Sequence, residues 1–320
     1  MKDRERAAAR GDSHPAEDRA GPRRRRFCLA GQAVEAPGLS GGLYVVATPI
    51  GNLGDVTVRA LEVLAAADAI ACEDTRVTRK LLDRYGIATP LTPYHDHNAA
   101  AVRPKLLARL AAGDAIALVS DAGTPLVSDP GYKLVRAAGE AGHAVIPLPG
   151  ASAVLAALVA AGIPTNRFFF EGFLPAKEAA RRARIAELAR IPATLVVFET
   201  GPRLAATVAD LAAGLGDREA ALCRELTKIH EEVRRAALAA LARDYAAAPA
   251  PRGEIVLVIA PPAPERAEEA EVDALLRARC AEASLKDAVA EVAAVTGQPR
   301  REVYRRALAL TKSPDDAAED

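Results

Sequence analysis

Apolar and polar positions alternate in blocks along residues 43–148, and these blocks predict strands and helices in turn. Short unbroken apolar runs are typical of strands that are buried on both faces. Apolar residues three and four positions apart, as at Val58, Leu61 and Leu64, are typical of a helix that buries one face. Strands and helices in this order predict a parallel sheet with helices on both of its faces. The predicted strands span 43–48, 69–72, 115–120 and 144–148, and the predicted helices begin near residues 58, 74, 99 and 132.

The Pro149-Gly150 pair interrupts this pattern, and we place a domain boundary there. One α/β domain is predicted over residues 41–149 and a second over 150–262. In the second domain, 231–236 is predicted to form a strand antiparallel to 220–226, because only a short turn separates the two runs. The other predicted strands span 168–173, 194–198 and 254–260, and the predicted helices span 152–161, 177–190 and 202–215.

The first 40 residues are rich in Arg, Ala, Gly and acidic residues and show no periodicity. We interpret residues 1–40 as a disordered extension or as the product of a misplaced start site. The run Arg23–Arg26 offers charges that could contact RNA, although a solvated tail is the favoured interpretation.

The last part of the chain predicts a small helical unit over residues 271–312, after a Pro- and Glu-rich linker at 262–270. Ser284 and Asp287 have the spacing of a capping box, which marks the start of a helix. A tight turn follows, and then a helix with four arginines and a tyrosine. This arrangement predicts a helix-turn-helix-like unit that binds nucleic acid. The alternative is a helical cap with a solvated basic face.

The composition of the chain limits the partners, the compartment and the metal sites that we expect. The 320 residues carry 42 basic and 42 acidic side chains, so a surface that attracts nucleic acid has to be local. The four cysteines are isolated, which favours neither a zinc ribbon nor a disulfide framework and is typical of the reducing cytoplasm. No apolar run is long enough to span a membrane, so we expect a cytoplasmic protein. Because His95 and His97 have no third ligand nearby, we expect no metal and interpret Tyr94–Asn98 as a hydrogen-bonded turn or a substrate contact.

The most informative stretch is the loop over residues 121–131, which leaves an apolar strand and enters a helix. Open α/β sheets bind ligands at such loops, beyond the carboxyl ends of their strands. Gly123 permits a close approach of the backbone to a ligand, and Asp121 and Thr124 offer oxygen atoms to it. The first strand is not followed by G-x-G-x-x-G, and no P-loop is present, which argues against a nucleotide-dependent oxidoreductase.

Two acidic residues have the position of helix N-caps. Asp129 precedes Pro130, and Asp74 precedes a helix that opens with basic residues. Arg76 and Lys80 lie four residues apart and therefore share a face of that helix. Together with Arg79 they are candidates for binding RNA phosphates, and a plain solvated face is the alternative.

Six segments, in this order along the chain, resemble a known family. They are Ala47–Asn52, Glu73–Arg76, Tyr94–Asn98, the loop at 121–131, Phe170–Pro175 and Arg224–Glu231. Together they resemble the bacterial ribosomal RNA small subunit methyltransferase I family of the tetrapyrrole methylase-like superfamily (class III), which uses S-adenosylmethionine. The resemblance covers about residues 43–310, and six segments in register are far more specific than any one of them.

The resemblance implies two α/β domains with S-adenosylmethionine in the cleft between them, and a homodimer. It implies methyl transfer to the ribose 2′-oxygen of a cytidine in the decoding region of 16S ribosomal RNA. The cofactor-binding residues that it implies are Pro49, Asp121, Ala122, Gly123, Thr124, Val127, Ser152, Ala153, Phe198 and Glu199.

The chain departs from the superfamily pattern at two places. Thr124 stands where the superfamily has the acid of a Gly-Asp-Pro triplet, a change that matches the ribosomal RNA branch. The turn Thr200–Arg203 differs from the family's Ser-Pro-His-Arg-like turn, so no role is carried over to it.

The chemistry requires a ribose hydroxyl to be aligned with the methyl group, and a general base would add about 10²–10⁴-fold to the rate. Our hypothesis is that Glu225 or Lys228 handles or polarises the hydroxyl, because both lie in a polar cluster at a strand end. The alternative is that this cluster forms ion pairs or binds phosphate. The candidate bases are Glu73, Asp121, Glu225, Lys228 and His230, and the candidate RNA contacts are Arg76, Arg79, Lys80, Arg224, Arg300, Arg301 and Arg305.

Two other functions remain open at this point. The same fold serves methyltransferases of tetrapyrroles such as precorrins. A protein of this fold without a working cofactor site would be a non-catalytic RNA-binding factor in ribosome assembly. Thr124 and the basic C-terminal helices favour the ribosomal RNA methyltransferase.

Overall fold

A computed structural model describes residues 25–128, 131–263 and 269–311. The chain divides into two compact units between Ala153 and Val154, a few residues beyond the predicted boundary at Pro149-Gly150. Among the described residues, no helix has both the length and the apolar character needed to cross a bilayer.

A β-hairpin precedes the first α/β unit and corrects the prediction of disorder over residues 1–40. Strands β1 (Arg26–Leu29) and β2 (Gln32–Glu35) pair antiparallel, while residues 1–24 lie outside the described part of the chain. Phe27 is fully buried in the core of the first unit, and this burial explains why the segment is ordered. Ala30 and Gly31 form the turn with φ of 49° and 80°. A two-residue turn with both φ values positive is usual in hairpins, but Ala-Gly is a weaker sequence signal than Asn-Gly.

The first unit has the predicted parallel sheet. Its strand order is β5-β4-β6-β3-β7, and every pair is parallel. The three-residue β5 was not predicted, because it is short and ends in Pro93. The strands are β3 (Gly42–Val46), β4 (Ala69–Cys72), β5 (Leu91–Pro93), β6 (Ala115–Val119) and β7 (Val145–Leu148). The helices are α1 (Val58–Ala66), α2 (Thr75–Arg84), α3 (Ala99–Ala111) and α4 (Tyr132–Glu140), with a short 3₁₀ helix at Leu53–Asp55.

A local hydrogen bond marks the start of α2, and glycines mark its end and the start of α4. The Asp74 carboxylate accepts a hydrogen bond from the Arg76 backbone N–H (2.8 Å), which confirms Asp74 as the N-cap of α2. Gly86, with φ of 63°, follows the last turn of α2. Gly131 occupies the N-cap position of α4. The predicted cap Asp129 and its neighbour Pro130 lie outside the described residues.

The second unit has a mixed sheet with the order β11-β10-β12-β9-β8, in which only β8 and β9 are parallel. The predicted antiparallel pairing of β10 with β11 is confirmed. The helix α8 was not predicted. The strands are β8 (Phe168–Phe173), β9 (Thr194–Thr200), β10 (Glu219–Arg224), β11 (Glu232–Ala237) and β12 (Glu254–Ile259). The helices are α5 (Ala153–Ala161), α6 (Glu178–Leu188), α7 (Gly201–Leu215) and α8 (Leu238–Ala247).

Three helices end the described chain, and they have a small core of their own that includes Val272, Val289 and Val303. They are α9 (Glu269–Cys280), α10 (Leu285–Thr296) and α11 (Arg300–Thr311). The predicted capping interaction at Ser284 is confirmed, since its hydroxyl oxygen accepts from the Asp287 backbone N–H (3.3 Å). The first helix begins at Glu269, so the predicted linker to residue 270 is too long by two residues.

Candidate active site

The loop after β6 is tied by its backbone to the end of β3. The Thr48 N–H donates to the Gly123 carbonyl (2.9 Å), and the Gly123 N–H donates to the Thr48 carbonyl (3.0 Å). Two buried hydroxyls reinforce this bridge, because Thr48 Oγ1 donates to the Ser120 carbonyl (3.1 Å) and Ser120 Oγ donates to the Gly123 carbonyl (3.0 Å). No charged side chain takes part in these four hydrogen bonds.

The same loop is also tied to the segment that follows β7. Thr124 Oγ1 donates to the Ala151 carbonyl (3.1 Å), next to Ser152 and Ala153. The ends of three neighbouring strands, β6, β3 and β7, thus meet at this loop. The structure therefore brings together the cofactor candidates of the first unit around Gly123. Ala122 and Val127 are exposed, whereas Pro49 is buried.

Three residues of this loop have φ values in the left-handed region. Gly123 has φ of 82°, and an added Cβ would lie 3.2 Å from Ile50 Cγ2. Leu126 and Ser128 have φ of 73° and 56°, values that side-chain-bearing residues rarely adopt. Such residues cost about 1–3 kcal/mol each and cluster at functional sites.

Asp121 connects this loop with the start of α2. Its Oδ1 accepts a hydrogen bond from the backbone N–H of Asp74 (3.0 Å), and the residue is half-buried. One carboxylate oxygen of Asp121 therefore holds the start of α2 in place. The sequence analysis did not predict this contact.

The basic residues of α2 lie on the surface. Arg76 is 87% exposed at its side chain and pairs with Asp74 (2.6 Å). The hydrogen bonds from the Arg76 side chain and backbone lower the pKa of Asp74 to about 2. Arg79 and Lys80 are exposed. Since Asp74 partly neutralises Arg76, Arg79 and Lys80 are the less compensated charges on this helix.

In the second unit, Glu199 is 1% exposed, and its carboxylate has hydrogen-bond donors within that unit. It accepts hydrogen bonds from the Thr207 hydroxyl (2.7 Å) and the Thr200 backbone N–H (2.8 Å), and Arg203 lies 3.2 Å away. A carboxylate at the start of α7 is also favoured by the helix dipole. The neighbouring Phe198 ring packs edge-on against Phe170, with centroids 4.9 Å apart.

Glu225 and Lys228 form an ion pair in the turn between β10 and β11. Lys228 Nζ donates to Glu225 Oε1 (2.7 Å) and to Glu254 Oε2 (3.0 Å), and Glu225 Oε1 also accepts from the Glu254 backbone N–H (2.9 Å). The hydrogen bonds from Lys228 and Glu254 hold the pKa of Glu225 below its usual value. Burial alone would lower the pKa of Lys228, but its two carboxylate partners outweigh burial and raise it. At neutral pH the pair is therefore a carboxylate and an ammonium.

The rest of this turn is also occupied by paired charges. Arg224 donates to Glu232 (3.0 Å), and Glu231 accepts from the Thr227 backbone N–H (2.6 Å). Glu225 and Thr227 have positive φ of 50° and 66°. Of the ion pairs considered as the alternative for this cluster, Glu225–Lys228 is present, whereas Arg224 pairs with Glu232 and Glu231 binds a backbone N–H. Ile229, at the tip of the turn, is 97% exposed.

The segment Tyr94–Asn98 is the predicted hydrogen-bonded turn, since Asn98 Oδ1 accepts from the His95 backbone N–H (2.9 Å). The rings of His95 and His97 lie edge-on with centroids 5.9 Å apart. In the part of the chain that the structure describes, no group of three His, Cys, Asp or Glu side chains is arranged to hold a metal ion.

The C-terminal helix α11 carries two kinds of arginine, one that is paired with acidic residues and three that are exposed. Arg306 pairs with Asp273 and with Glu269 (2.9 Å), so it joins α11 to α9. Arg300, Arg301 and Arg305 are exposed and form no ion pair within the described ranges. These are the three arginines of α11 that were predicted to contact RNA.

A cavity of about 400 Å³ in the first unit was not predicted. It opens beyond the ends of β4 and β5, beside the start of α4, and includes Tyr94, Tyr132 and Lys133 in its walls. The signal that sequence reasoning passed over is the Tyr-Lys pair directly after the informative loop.

Comparison with known proteins places the chain in a family. A "Ribosomal RNA small subunit methyltransferase I" from Mesorhizobium japonicum is 52% identical over 284 residues, which cover 88% of this chain and 97% of the relative. A protein of the same name from Synechocystis is 47% identical and covers 84% of this chain and 98% of the relative. The chain belongs to the ribosomal RNA small subunit methyltransferase I family.

The family assignment agrees with the domain matches. Residues 42–242 match the tetrapyrrole (corrin/porphyrin) methylases, and residues 266–311 match the RsmI C-terminal HTH domain. The tetrapyrrole methylase-like α/β fold and the C-terminal helix-turn-helix unit were both predicted and are confirmed. This family is one of S-adenosylmethionine-dependent methyltransferases.

Solved structures share the fold at low sequence identity. A conserved hypothetical protein from Aeropyrum pernix K1 aligns with a TM-score of 0.55 and 19% identity, and the alignment covers 86% of this chain and 100% of that one. At this identity the likeness concerns the fold alone.

Proposed function

We propose that this protein transfers a methyl group from S-adenosylmethionine to the ribose 2′-hydroxyl of a cytidine in 16S ribosomal RNA, within the small ribosomal subunit. The observation that carries the proposal is the 52% identity to a relative named for this RNA, over 97% of that relative's length. Since the substrate is ribosomal, the protein would act in the cytoplasm. The match of its C-terminal unit to the RsmI HTH domain favours this substrate over a tetrapyrrole.

The loop after β6 fits the role of a cofactor cradle. An added Cβ at Gly123 would press on Ile50, so the loop lies as close to β3 as a glycine allows. We assign cofactor contact in the first unit to Pro49, Asp121, Ala122, Gly123, Thr124, Val127, Ser152 and Ala153. In the second unit Phe198 remains a candidate, while the Glu199 carboxylate, with its contacts inside its own unit, shapes the end of β9.

S-adenosylmethionine supplies an activated methyl group on a sulfonium sulfur. The ribose 2′-oxygen forms a bond to the methyl carbon while the carbon–sulfur bond breaks, which leaves S-adenosylhomocysteine and a proton. The protein has to align oxygen, carbon and sulfur, a contribution that reaches about 7–11 kcal/mol in favourable cases.

Lys228 is the better candidate for acting on the hydroxyl. Because its pKa is raised, it is an ammonium that cannot accept the proton but can lower the pKa of a nearby hydroxyl. Glu225 has a lowered pKa and is a weak base, so we assign it to positioning Lys228. Because Glu73 lines the cavity beside the start of α4, the base that takes the proton is Asp121, His230 or water.

RNA would be held by charges that are not compensated inside the protein. Arg300, Arg301 and Arg305 on α11 and Arg79 and Lys80 on α2 meet this condition. Arg76 and Arg224 have acidic partners, Asp74 and Glu232, and contribute less.

We further propose that the protein is a homodimer. On α5, Val159 is 85% exposed and Leu155, four residues before it on the same face, is 54% exposed, so this face presents apolar surface to solvent. Sedimentation equilibrium tests this proposal, and a monomer at micromolar concentration would overturn it.

The function is tested with small ribosomal subunits from cells that lack the protein. Purified protein and isotope-labelled S-adenosylmethionine are added, and the RNA is digested and analysed by mass spectrometry. We expect one new 2′-O-methylcytidine in 16S RNA. Labelling of a base, or no labelling of RNA by a protein that binds S-adenosylmethionine, would contradict the proposal.

A further inference from the structure

The cavity beside α4 has walls that suit a nucleobase. Its volume of about 400 Å³ lies within the usual range of small-molecule pockets. It is bounded by residues from two strand ends, from the start of α3 and from the start of α4. The polar and aromatic residues that line it are Glu73, Tyr94, Asp96, Ser128, Tyr132 and Lys133.

The cavity and the cofactor loop occupy neighbouring parts of one sheet edge. The cofactor segments follow β6, β3 and β7, whereas the cavity lies beyond β4 and β5. One loop serves both, because Gly123 near its start is bonded to Thr48 and Ser128 near its end lines the cavity. The hydrogen bond from the Asp74 N–H to Asp121 (3.0 Å) links the two parts directly, one residue beyond Glu73.

The aromatic groups of the cavity differ in exposure. Tyr94 is 2% exposed, so its buried ring forms a fixed wall of the cavity. Tyr132 is 59% exposed, so its ring stands at the solvent side. A solvent-facing tyrosine beside an exposed lysine, Lys133, is the combination that stacks an unpaired base and attracts its phosphate.

We propose that this cavity receives the base of the acceptor nucleotide and that Glu73 selects cytosine there. The assignment rests on the proposed function. Glu73 is a half-buried carboxylate and accepts hydrogen bonds but donates none. The N4 amine of cytosine donates to a carboxylate, whereas uracil has a carbonyl oxygen at the same position and would be repelled. Asp96 is exposed and supports the same preference from the rim.

The cofactor itself is the competing occupant. Its predicted segments lie at the ends of β6, β3 and β7, and only the far end of their loop reaches the cavity. Tyr132 and Lys133 in its wall are exposed to solvent, which suits a nucleotide that arrives as part of an RNA.

The test compares cytidine with uridine at the acceptor position. Small subunits are reconstituted with 16S transcripts that carry one or the other base, and kcat/KM is measured with wild type, Glu73→Gln and Tyr132→Ala. Glu62→Gln, a half-buried glutamate of the same unit outside the cavity, is the matched control. Calorimetric titration with S-adenosylmethionine reports for each variant whether the fold and the cofactor site are intact.

We expect wild type and Glu62→Gln to prefer cytidine and Glu73→Gln to lose about 10-fold or more of that preference, since one base contact carries discrimination of this order. Tyr132→Ala should lower kcat/KM about 10-fold on both substrates through lost stacking, with unchanged cofactor affinity. Unchanged preference in Glu73→Gln overturns the assignment. Weaker binding of S-adenosylmethionine by Glu73→Gln, with an unchanged base preference, also overturns the assignment and indicates that the cavity binds the cofactor. A wild type that methylates neither substrate removes the proposed function, and with it this assignment.

Discussion

Two segments of this protein combine unusual backbone geometry with candidate chemistry, yet they are built differently. The loop after β6 is attached to β3 by backbone and hydroxyl groups around Gly123. The turn between β10 and β11 is attached through charged side chains, with Lys228 between Glu225 and Glu254. Backbone attachment leaves the exposed side chains of Ala122 and Val127 available to a ligand, whereas the charges of the turn are already engaged with one another.

This difference separates two roles. A loop that is fixed by its backbone is suited to holding a small molecule of constant shape. A turn whose charges form a network fixes the protonation of its members, here an ammonium on Lys228 and a carboxylate on Glu225. Four experiments test this contrast between available and engaged groups, with the largest expected effect first.

Removal of the ammonium should cost the most activity. Lys228→Gln is expected to lower kcat about 10²-fold, because one electrostatic contact to the reacting oxygen is worth about that much. Glu225→Gln should cost less, since the amide oxygen still accepts from Lys228. Lys177→Gln, at an exposed lysine of the same unit, is the control. RNA binding is measured in parallel, and near-normal turnover in both turn variants would remove this turn from the chemistry.

A methyl group on Gly123 tests the first loop. Gly123→Ala should weaken S-adenosylmethionine binding roughly 10-fold, because the new Cβ meets Ile50 and the loop has to shift, while the left-handed backbone costs the folded state about 1–2 kcal/mol. Gly142 is the matched control, because its φ is 79° and an added Cβ would have nothing within 4 Å. Gly142→Ala should lose similar stability and bind the cofactor normally. Equal cofactor affinity in the two variants, by calorimetry, would contradict the role of the loop.

The contrast between engaged and available charges extends to α11. Arg305→Gln should weaken RNA binding and reduce the slope of log affinity against log salt by about one. Arg306→Gln should instead destabilise the helical unit, because Arg306 pairs with Asp273 and Glu269. Filter binding over a range of salt and thermal unfolding measure the two effects. An unchanged salt slope in Arg305→Gln would count against RNA contact by this helix.

Acid should affect the two segments unequally, with the smallest effect of the four. The folded pKa of Glu225 lies below its ordinary value of 4.5. Its contribution to stability is therefore complete above about 4.5 and is lost as the pH falls through the lower folded value. Hydrogen exchange, corrected for intrinsic rates, should show loss of protection around residues 225–231 in this range. The Thr48–Gly123 bridge contains no titrating group and should keep its protection, and parallel loss in both segments would contradict the comparison.

Much of the fold follows from the sequence. Unbroken apolar runs predicted β3, β4 and β6 because these strands are buried on both faces. A similar run predicted the edge strand β7, in which Pro147 is exposed. The caps Asp74 and Ser284 were predictable because capping depends on residues within one turn. The hairpin around Phe27 was not predicted, because it is held in place by the burial of Phe27 against residues that are distant in sequence. Local periodicity carries no information about such contacts.

The candidate site was less predictable than the fold. Its main loop was visible in the sequence because Gly123 and Thr124 follow a buried strand. The use of Asp121 as an acceptor for the Asp74 N–H was not visible, since the contact spans 47 residues. The same holds for Glu225, whose partner Glu254 lies on another strand, and for the cavity at Tyr94 and Tyr132.

The most direct test of the central claim is a crystal structure with bound S-adenosylhomocysteine. We predict that the ligand lies within hydrogen-bond distance of residues 121–124, with the Thr48–Gly123 bridge intact. A ligand bound elsewhere, with this loop packed shut, would contradict the account.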